Sequence, residues 1–107
     1  MTYQANSVLY SMIYVDAITA YPEAAVALKA RRYGGKWCHM WCDEGVEELH
    51  RMADALFLKR LYFQDVEGFP HYDLVESRRK KAIEFGAQET SLRAWIRRRK
   101  GMKKRKV

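Results

Sequence analysis

Short strand-like segments alternate with helical segments along the chain, and this alternation limits the fold more than any other feature of the sequence. The strand-like segments are short apolar runs rich in β-branched and aromatic residues, whereas the helical segments place apolar residues three and four positions apart. Predicted strands cover residues 12–18, 36–43, 61–64 and 87–90, and predicted helices cover residues 23–33, 46–58, 74–85 and 91 onwards. This pattern predicts a small three-layer α/β domain with a mostly parallel four-stranded sheet and a basic C-terminal helix or tail.

Local signals mark the ends of several helices. Pro22 and the pair Gly34-Gly35 bracket the first predicted helix. Asp73 followed by Glu76 has the spacing of a capping box, which predicts a helix that begins directly after Asp73. Ser91 is a suitable N-cap for the last helix.

The second predicted strand has two faces of different character. Cys38, Met40 and Cys42 alternate toward one face, which we expect to be core. The opposite face mixes aromatic and ionisable groups, as a binding surface does: Trp37, His39, Trp41 and Asp43. On a strand the two cysteines lie about 13 Å apart, too far for a disulfide or a shared metal. We therefore expect two small buried thiols in a reducing compartment.

Charge is unevenly distributed along the 107 residues. Residues 93–107 contain nine Lys or Arg and no acid, whereas residues 1–92 contain eleven basic and thirteen acidic residues, a net charge of −2. We expect an N-terminal extension (1–11), one α/β domain (12–92) and a basic C-terminal tail (93–107). The tail should attract nucleic acid with an affinity that falls steeply with salt. The alternatives for the tail are binding to an acidic host protein and an effect on solubility alone.

The composition excludes several classes of protein. A chain of this length supports one domain with a modest core. No stretch approaches the roughly 20 apolar residues of a membrane span, and the first residues lack the basic and apolar regions of a secretory signal. The expected location is therefore the cytoplasm, with no membrane partner.

The candidate site combines two histidines and three carboxylates: Asp16, His39, Asp43, His71 and Asp73. Asp16 lies near the end of the first predicted strand and His71 just beyond the third, and open parallel sheets bind ligands at the carboxyl ends of their strands. Such a set suits a divalent ion such as Mn²⁺ or Zn²⁺, which can activate water, although no spacing matches a recognised metal motif. In the structural alternative, Asp43 and Asp73 cap helices and His71 bonds to backbone.

Two further groups could contact a ligand. Ser77, Arg78 and Arg79 lie in the first turns of a predicted helix, where backbone amides and arginines together bind phosphate. Trp37 and Trp41 could stack on the bases of single-stranded nucleic acid. The alternatives are a solvated helix face and aromatic core residues.

Several motifs carry a resemblance to a known family: Tyr14-Val15-Asp16, Trp37-Cys38-His39, His71-Tyr72-Asp73-Leu74, Ser77-Arg78-Arg79 and Gly86-Ala87. Together they resemble a small bacterial and phage family, domain of unknown function 4031. The resemblance marks ten recurrent residues: Asp16, Trp37, His39, Asp43, His50, His71, Tyr72, Asp73, Ser77 and Arg79. It implies that Arg79 faces the site, and it implies no activity because the family is uncharacterised.

Three functions are consistent with these features. The leading prediction is a phage-type accessory protein, in the cytoplasm of a bacterial host, that binds nucleic acid or a phosphorylated ligand. Its ligand contacts would be Trp37, Asp43, Tyr72, Ser77, Arg78 and Arg79, and its nucleic-acid contacts would be Arg97, Arg98, Arg99, Lys100, Lys103, Lys104, Arg105 and Lys106. The first alternative is a metal-dependent phosphoesterase or nuclease with the catalytic residues Asp16, His39, His71 and Asp73. The second alternative is an interaction protein that inhibits a host enzyme or defence complex.

Overall fold

Five strands, three α-helices and one 3₁₀ turn make up the described part of the chain. The structure, a computed structural model, describes residues 12–20, 36–43 and 45–105, with side chains described as far as residue 101. The strands are β1 (Ile13–Val15), β2 (Thr19–Ala20), β3 (Lys36–Cys42), β4 (Tyr72–Leu74) and β5 (Gln88–Glu89). The helices are α1 (Glu47–Ala55), α2 (Glu76–Glu84) and α3 (Leu92–Arg105), with the 3₁₀ turn at Arg60–Tyr62. The predicted extension 1–11 and the predicted helix 23–33 lie outside the described residues.

Strand β3 is the centre of the sheet. It pairs antiparallel with β1, β2 and β4, and β5 pairs parallel with β1. The α/β class is thus as predicted, but the mostly parallel four-stranded sheet is wrong, because the sheet has five strands and is mostly antiparallel. Alternating strands and helices give parallel pairs only when each connection returns the chain to the same end of the sheet. Here α1 and the 3₁₀ turn lead into β4, which runs antiparallel to β3.

The predicted third strand, residues 61–64, is also wrong. The 3₁₀ turn takes up most of this segment and leaves Leu61 81% exposed. Gln64 alone forms a β-bridge, with His71. The next core strand is β4, so His71 directly precedes a strand and Asp73 lies within it, instead of both following one.

The segment that joins β1 to β2 is one residue longer than the part of β3 that it faces. Val15 pairs with Met40 and Thr19 pairs with Trp37, so three residues of the first segment oppose two of β3. This mismatch is a β-bulge, which locally bends a strand and redirects a side chain. Asp16 is the first residue of the bulge.

The two faces of β3 differ as predicted. Cys38 and Met40 are fully buried in the main core, which α1 lines with Leu49 and α2 with Ala82. Both cysteines are free and buried. On the opposite face Trp41 is also buried, because α3 covers it.

The predicted helix ends are partly confirmed. The Ser91 side-chain oxygen accepts a hydrogen bond from the Ala94 backbone N–H at 3.0 Å, so the predicted cap of α3 is confirmed. The predicted capping box is wrong, because α2 begins at Glu76 and its N-cap, Val75, makes no side-chain capping bond. Asp73 lies in β4, where its carboxylate has another partner.

The predicted basic tail is a helix as far as Arg105, and its first half packs on the sheet. The Trp95 ring lies 5.7 Å from that of Trp41, and Arg99 donates to the carbonyl oxygen of Asp43 at 3.0 Å. In the described ranges, no helix combines the length and apolar character that crossing a membrane requires.

Candidate functional site

Three ionisable side chains meet on the α3-facing side of the sheet. His39, His71 and Asp73 each offer one ligand atom, and these atoms all lie within 4.8 Å of one another. We call this set the triad. His39 and Asp73 are direct cross-strand partners of β3 and β4, and His71 lies two residues before Asp73. Because side chains alternate along a strand, all three point to the same face.

Asp16 holds His39 at two points. The Asp16 carboxylate accepts the backbone N–H of His39 at 2.7 Å and contacts its ring Nδ1 at 2.8 Å. Because a carboxylate only accepts, the proton lies on Nδ1 and a neutral His39 carries its lone pair on Nε2. The hydrogen bond to Asp16 is the main cause that raises the pKa of His39, and the charges of Asp16 and Asp73 add to it against burial.

His71, like His39, carries its proton on Nδ1, but its hydrogen-bond partner is different. Its Nδ1 lies 2.8 Å from the carbonyl oxygen of Phe69 and therefore donates to it. Its Nε2 lies 3.5 Å from Oδ1 of Asp73. The Phe69 ring stacks on the His71 ring at 4.6 Å, so both the tautomer and the orientation of His71 are fixed.

Asp73 completes the triad. Gln64 donates to its Oδ2 at 2.6 Å, and its Oδ1 faces His71. Each member of the triad is thus held by a second group, which is the arrangement that surrounds metal ligands in proteins. Two imidazoles and one carboxylate can bind a divalent transition-metal ion and leave positions for water or substrate.

Asp16 is not part of the triad and contacts it through His39. Its backbone carbonyl accepts a hydrogen bond from Arg79 at 2.7 Å, and Arg79 also pairs with Glu89 at 3.0 Å. The resemblance implied that Arg79 faces the site, but these contacts hold β1, β5 and α2 together. Burial raises the pKa of the neighbouring Cys38 thiol to about 12, so this thiol is not a nucleophile at neutral pH.

Two predicted ligand contacts serve the fold. Asp43 accepts hydrogen bonds from Trp95 at 2.9 Å and Tyr14 at 3.3 Å, and so joins the end of β3 to α3. Tyr72 is fully buried on the core face of β4, with its hydroxyl 2.7 Å from Nδ1 of His50. The alternation between His71, Tyr72 and Asp73 already predicts that Tyr72 faces away from the site.

The remaining predicted contacts lie outside the triad. Trp37 is half-buried on β3, Ser77 is exposed on α2, and Arg78 is half-buried beside it. None of the three lines the pocket next to the triad, as far as the described residues show.

This pocket has a volume of about 360 Å³ and lies between the sheet and α3. Trp41, Phe69, Trp95, Arg99 and Lys100 line it, together with Asp43 and Ile96. We call it the aromatic pocket. The sequence analysis did not identify Phe69 or Gln64 as residues near the site. The neighbouring Gly68 and Pro70 mark the loop that contains Phe69. Gln64 lies near the triad because it forms a β-bridge with His71, a long-range pairing that has no local sequence signal.

The fold and site define a small α/β domain with a candidate two-histidine, one-carboxylate centre beside an aromatic and basic pocket. Residues 13–102 match the family model described as "Protein of unknown function (DUF4031)", so the chain belongs to this family. No curated protein and no solved structure matches the chain.

Proposed function

We propose that this protein is a metal-dependent phosphodiesterase that cleaves nucleic acid at the triad. The observation that carries the proposal is the convergence of one ligand atom each from His39, His71 and Asp73 within 4.8 Å. All three side chains are partly or wholly withdrawn from solvent, so their orientation is set by the fold. A fixed ligand set with open coordination positions is typical of catalytic metal sites.

The positive charge beside the triad supports nucleic acid as the substrate. Arg99 and Lys100 line the neighbouring pocket, and α3 continues with further basic residues. A divalent ion would supply an activated water for attack on phosphorus, with loss of one P–O bond to the leaving sugar oxygen. The basic helix would hold the polyanion in place.

Binding of Mn²⁺ is the first test, measured by isothermal titration calorimetry. Wild type should bind one ion, and His71→Ala and Asp73→Asn should each weaken binding by at least about tenfold, because each removes a ligand. His50→Ala is the matched control, since His50 contacts Tyr72 and not the triad. Equal Mn²⁺ affinity in wild type and both triad variants would refute the metal site.

Cleavage is the second test. Labelled single- and double-stranded DNA and RNA are incubated with protein and Mn²⁺ or with EDTA. We expect cleavage only with Mn²⁺, and none by His71→Ala. Cleavage at the wild-type rate by that variant would contradict the assignment of the triad.

The second candidate function is nucleic-acid binding without hydrolysis, as in the leading sequence prediction. The charge segregation of α3 favours it. Because Trp95 and Arg99 pack on the sheet, removal of residues 93–107 would also damage the fold. A chain that ends at Gly101 lacks four basic residues and should bind with a smaller salt dependence. Binding without cleavage in Mn²⁺ would favour this function, and absence of both would favour the predicted host-protein partner.

A further inference from the structure

The aromatic pocket beside the triad has the features of a nucleobase subsite. We propose that it binds one base of a single-stranded nucleic acid while the adjoining phosphate lies at the triad; the position of the phosphate rests on the proposed function, but the base site does not. The pocket volume of about 360 Å³ lies at the lower end of the range for small-ligand sites.

The lining combines apolar aromatic side chains with two cationic side chains. Trp41, Phe69 and Trp95 line the pocket, with the Trp41 ring centroid 5.5 Å from that of Phe69 and 5.7 Å from that of Trp95. Because Trp41 is 1% and Trp95 8% exposed, these two rings form the floor of the pocket, and the half-buried Phe69 ring is the aromatic surface open to a base. Arg99 lies 4.8 Å above the Trp95 ring, and exposed Lys100 lines the same pocket. Aromatic rings accept any base and cations bind its phosphate, so this combination is typical of single-strand binding.

Two polar groups beside the pocket are not available to bind a base. The Asp43 carboxylate lines the pocket but is already bonded to Trp95 and Tyr14. The indole N–H of Trp41 is buried without a hydrogen-bond partner among the described residues. This N–H is also shielded from solvent, so the base site rests on the Phe69 ring and the two cations and not on this donor.

Phe69 lies between the pocket and the triad. This ring lines the pocket, stacks on His71 at 4.6 Å and lies 5.5 Å from His39. A base in the pocket would therefore be about one ring away from the metal ligands. That separation suits a base and a phosphate of the same or the adjacent nucleotide.

The main test compares two ligands that differ only in their bases. A thymidine hexanucleotide and a hexamer of the same length with abasic residues are titrated into full-length protein in EDTA, so that no cleavage occurs. We expect the abasic hexamer to bind about tenfold or more weakly, because base stacking is lost while the phosphates remain. Equal affinities would overturn the base site and leave only electrostatic binding by α3.

The indole N–H signals in a ¹H–¹⁵N NMR spectrum locate the base. The chain has three tryptophans, of which Trp41 and Trp95 line the pocket and Trp37 does not. We expect the thymidine hexanucleotide to shift the signals of Trp41 and Trp95 far more than that of Trp37. A shift largest at Trp37 would place the base elsewhere and refute the proposal.

A matched pair of charge reversals tests the cationic wall. Lys100→Glu changes a residue of the pocket, and Arg97→Glu makes the same change at an exposed position of α3 that does not line it. We expect Lys100→Glu to weaken binding of the thymidine hexanucleotide several-fold more than Arg97→Glu does. Equal losses of affinity in the two variants would contradict binding of the hexanucleotide in the pocket. Because all three measurements are made without metal, they can succeed or fail independently of Mn²⁺ binding and cleavage.

Discussion

Asp16 illustrates how a residue can serve a site without touching a ligand. Its carboxylate binds both the backbone N–H and the ring of His39, which fixes the tautomer that presents Nε2. The sequence grouped Asp16 with the residues that would be catalytic in an enzyme, whereas its observed contacts are with His39 and not with the other members of the triad. The histidine it orients is the group that would meet a metal.

Substitution of Asp16 should therefore alter the properties of His39. In Asp16→Asn the ring loses the charged partner that raises its pKa, so we expect a lower pKa for His39. Mn²⁺ affinity should fall by about 10- to 100-fold, the usual effect of losing such a supporting carboxylate. NMR titration and calorimetry measure the two effects. An unchanged pKa of His39 would show that the hydrogen bond to Asp16 is absent in solution.

The pKa values of His39 and His50 should depart from 6.5 in opposite directions. Asp16 raises the pKa of His39, and burial is the main cause that lowers the pKa of His50. In metal-free protein the His39 contribution to folding is full below pH 6.5 and is lost as pH rises through its folded pKa. The His50 contribution is present above pH 6.5 and is lost as pH falls through its folded pKa. NMR titration in EDTA measures both, and a His50 pKa above that of His39 would contradict the described contacts.

We expect Tyr72 to contribute to the free energy of unfolding and not to metal binding at the triad. Tyr72→Phe removes the hydroxyl that contacts His50 and leaves the buried ring in place. We expect the free energy of unfolding to fall by about 1 kcal/mol in urea titrations. Mn²⁺ affinity should equal that of wild type, and a large loss of Mn²⁺ binding would return Tyr72 to the site.

At the scale of the element, helix α3 has two roles along its length. Its first turns cover the sheet through Trp95 and Arg99, and its later turns carry further basic residues. The sequence predicted its start and its charge correctly, because Ser91 and the basic run are local signals. It could not predict that Asp43 meets Trp95, since these residues are 52 positions apart.

Loss of Trp95 should destabilise the whole domain. Trp95→Ala removes a side chain that is 8% exposed, together with its contacts to Trp41 and Asp43. We expect a loss of about 3–5 kcal/mol in the free energy of unfolding, measured in urea. Ile96→Ala on the same helix is the control, because Ile96 is 41% exposed. Similar losses in both variants would mean that α3 is not packed on the sheet.

At the scale of the whole molecule, the candidate ligands tie together two strands. His39 belongs to β3, and His71 and Asp73 come from the segment that enters and forms β4. A metal ion bound by all three would link segments more than 30 positions apart. An ion that binds the folded chain and not the unfolded chain would also stabilise the fold.

Mn²⁺ should therefore raise the thermal midpoint of unfolding. At a free concentration about 100 times the dissociation constant, linkage gives about 2.7 kcal/mol of added stability. The increase should be absent in Asp73→Asn and retained in His50→Ala, as measured by circular dichroism. A midpoint that rises equally in Asp73→Asn would indicate binding elsewhere.

The parts of the fold that sequence reasoning predicts are those with strong local periodicity. The alternation of residues 36–43 gave β3 and its two faces, and the apolar spacing after Val46 gave α1. The sequence also grouped His39, His71 and Asp73, but on the basis of parallel strand ends. They meet instead through antiparallel pairing of β3 with β4, which depends on a long-range register that local patterns do not encode.

The bulge between β1 and β2 sets a rule for the length of this segment. Deletion of residue 17 or 18 would let β1 and β2 form an uninterrupted ladder with β3, and insertion of one residue would widen the irregularity. Either change would displace the Asp16 carboxylate from the His39 ring while leaving most of the sheet able to form. In this family, a homologue with a different number of residues between these two strands should therefore lack the support behind its histidine, even if all three residues of the triad are present.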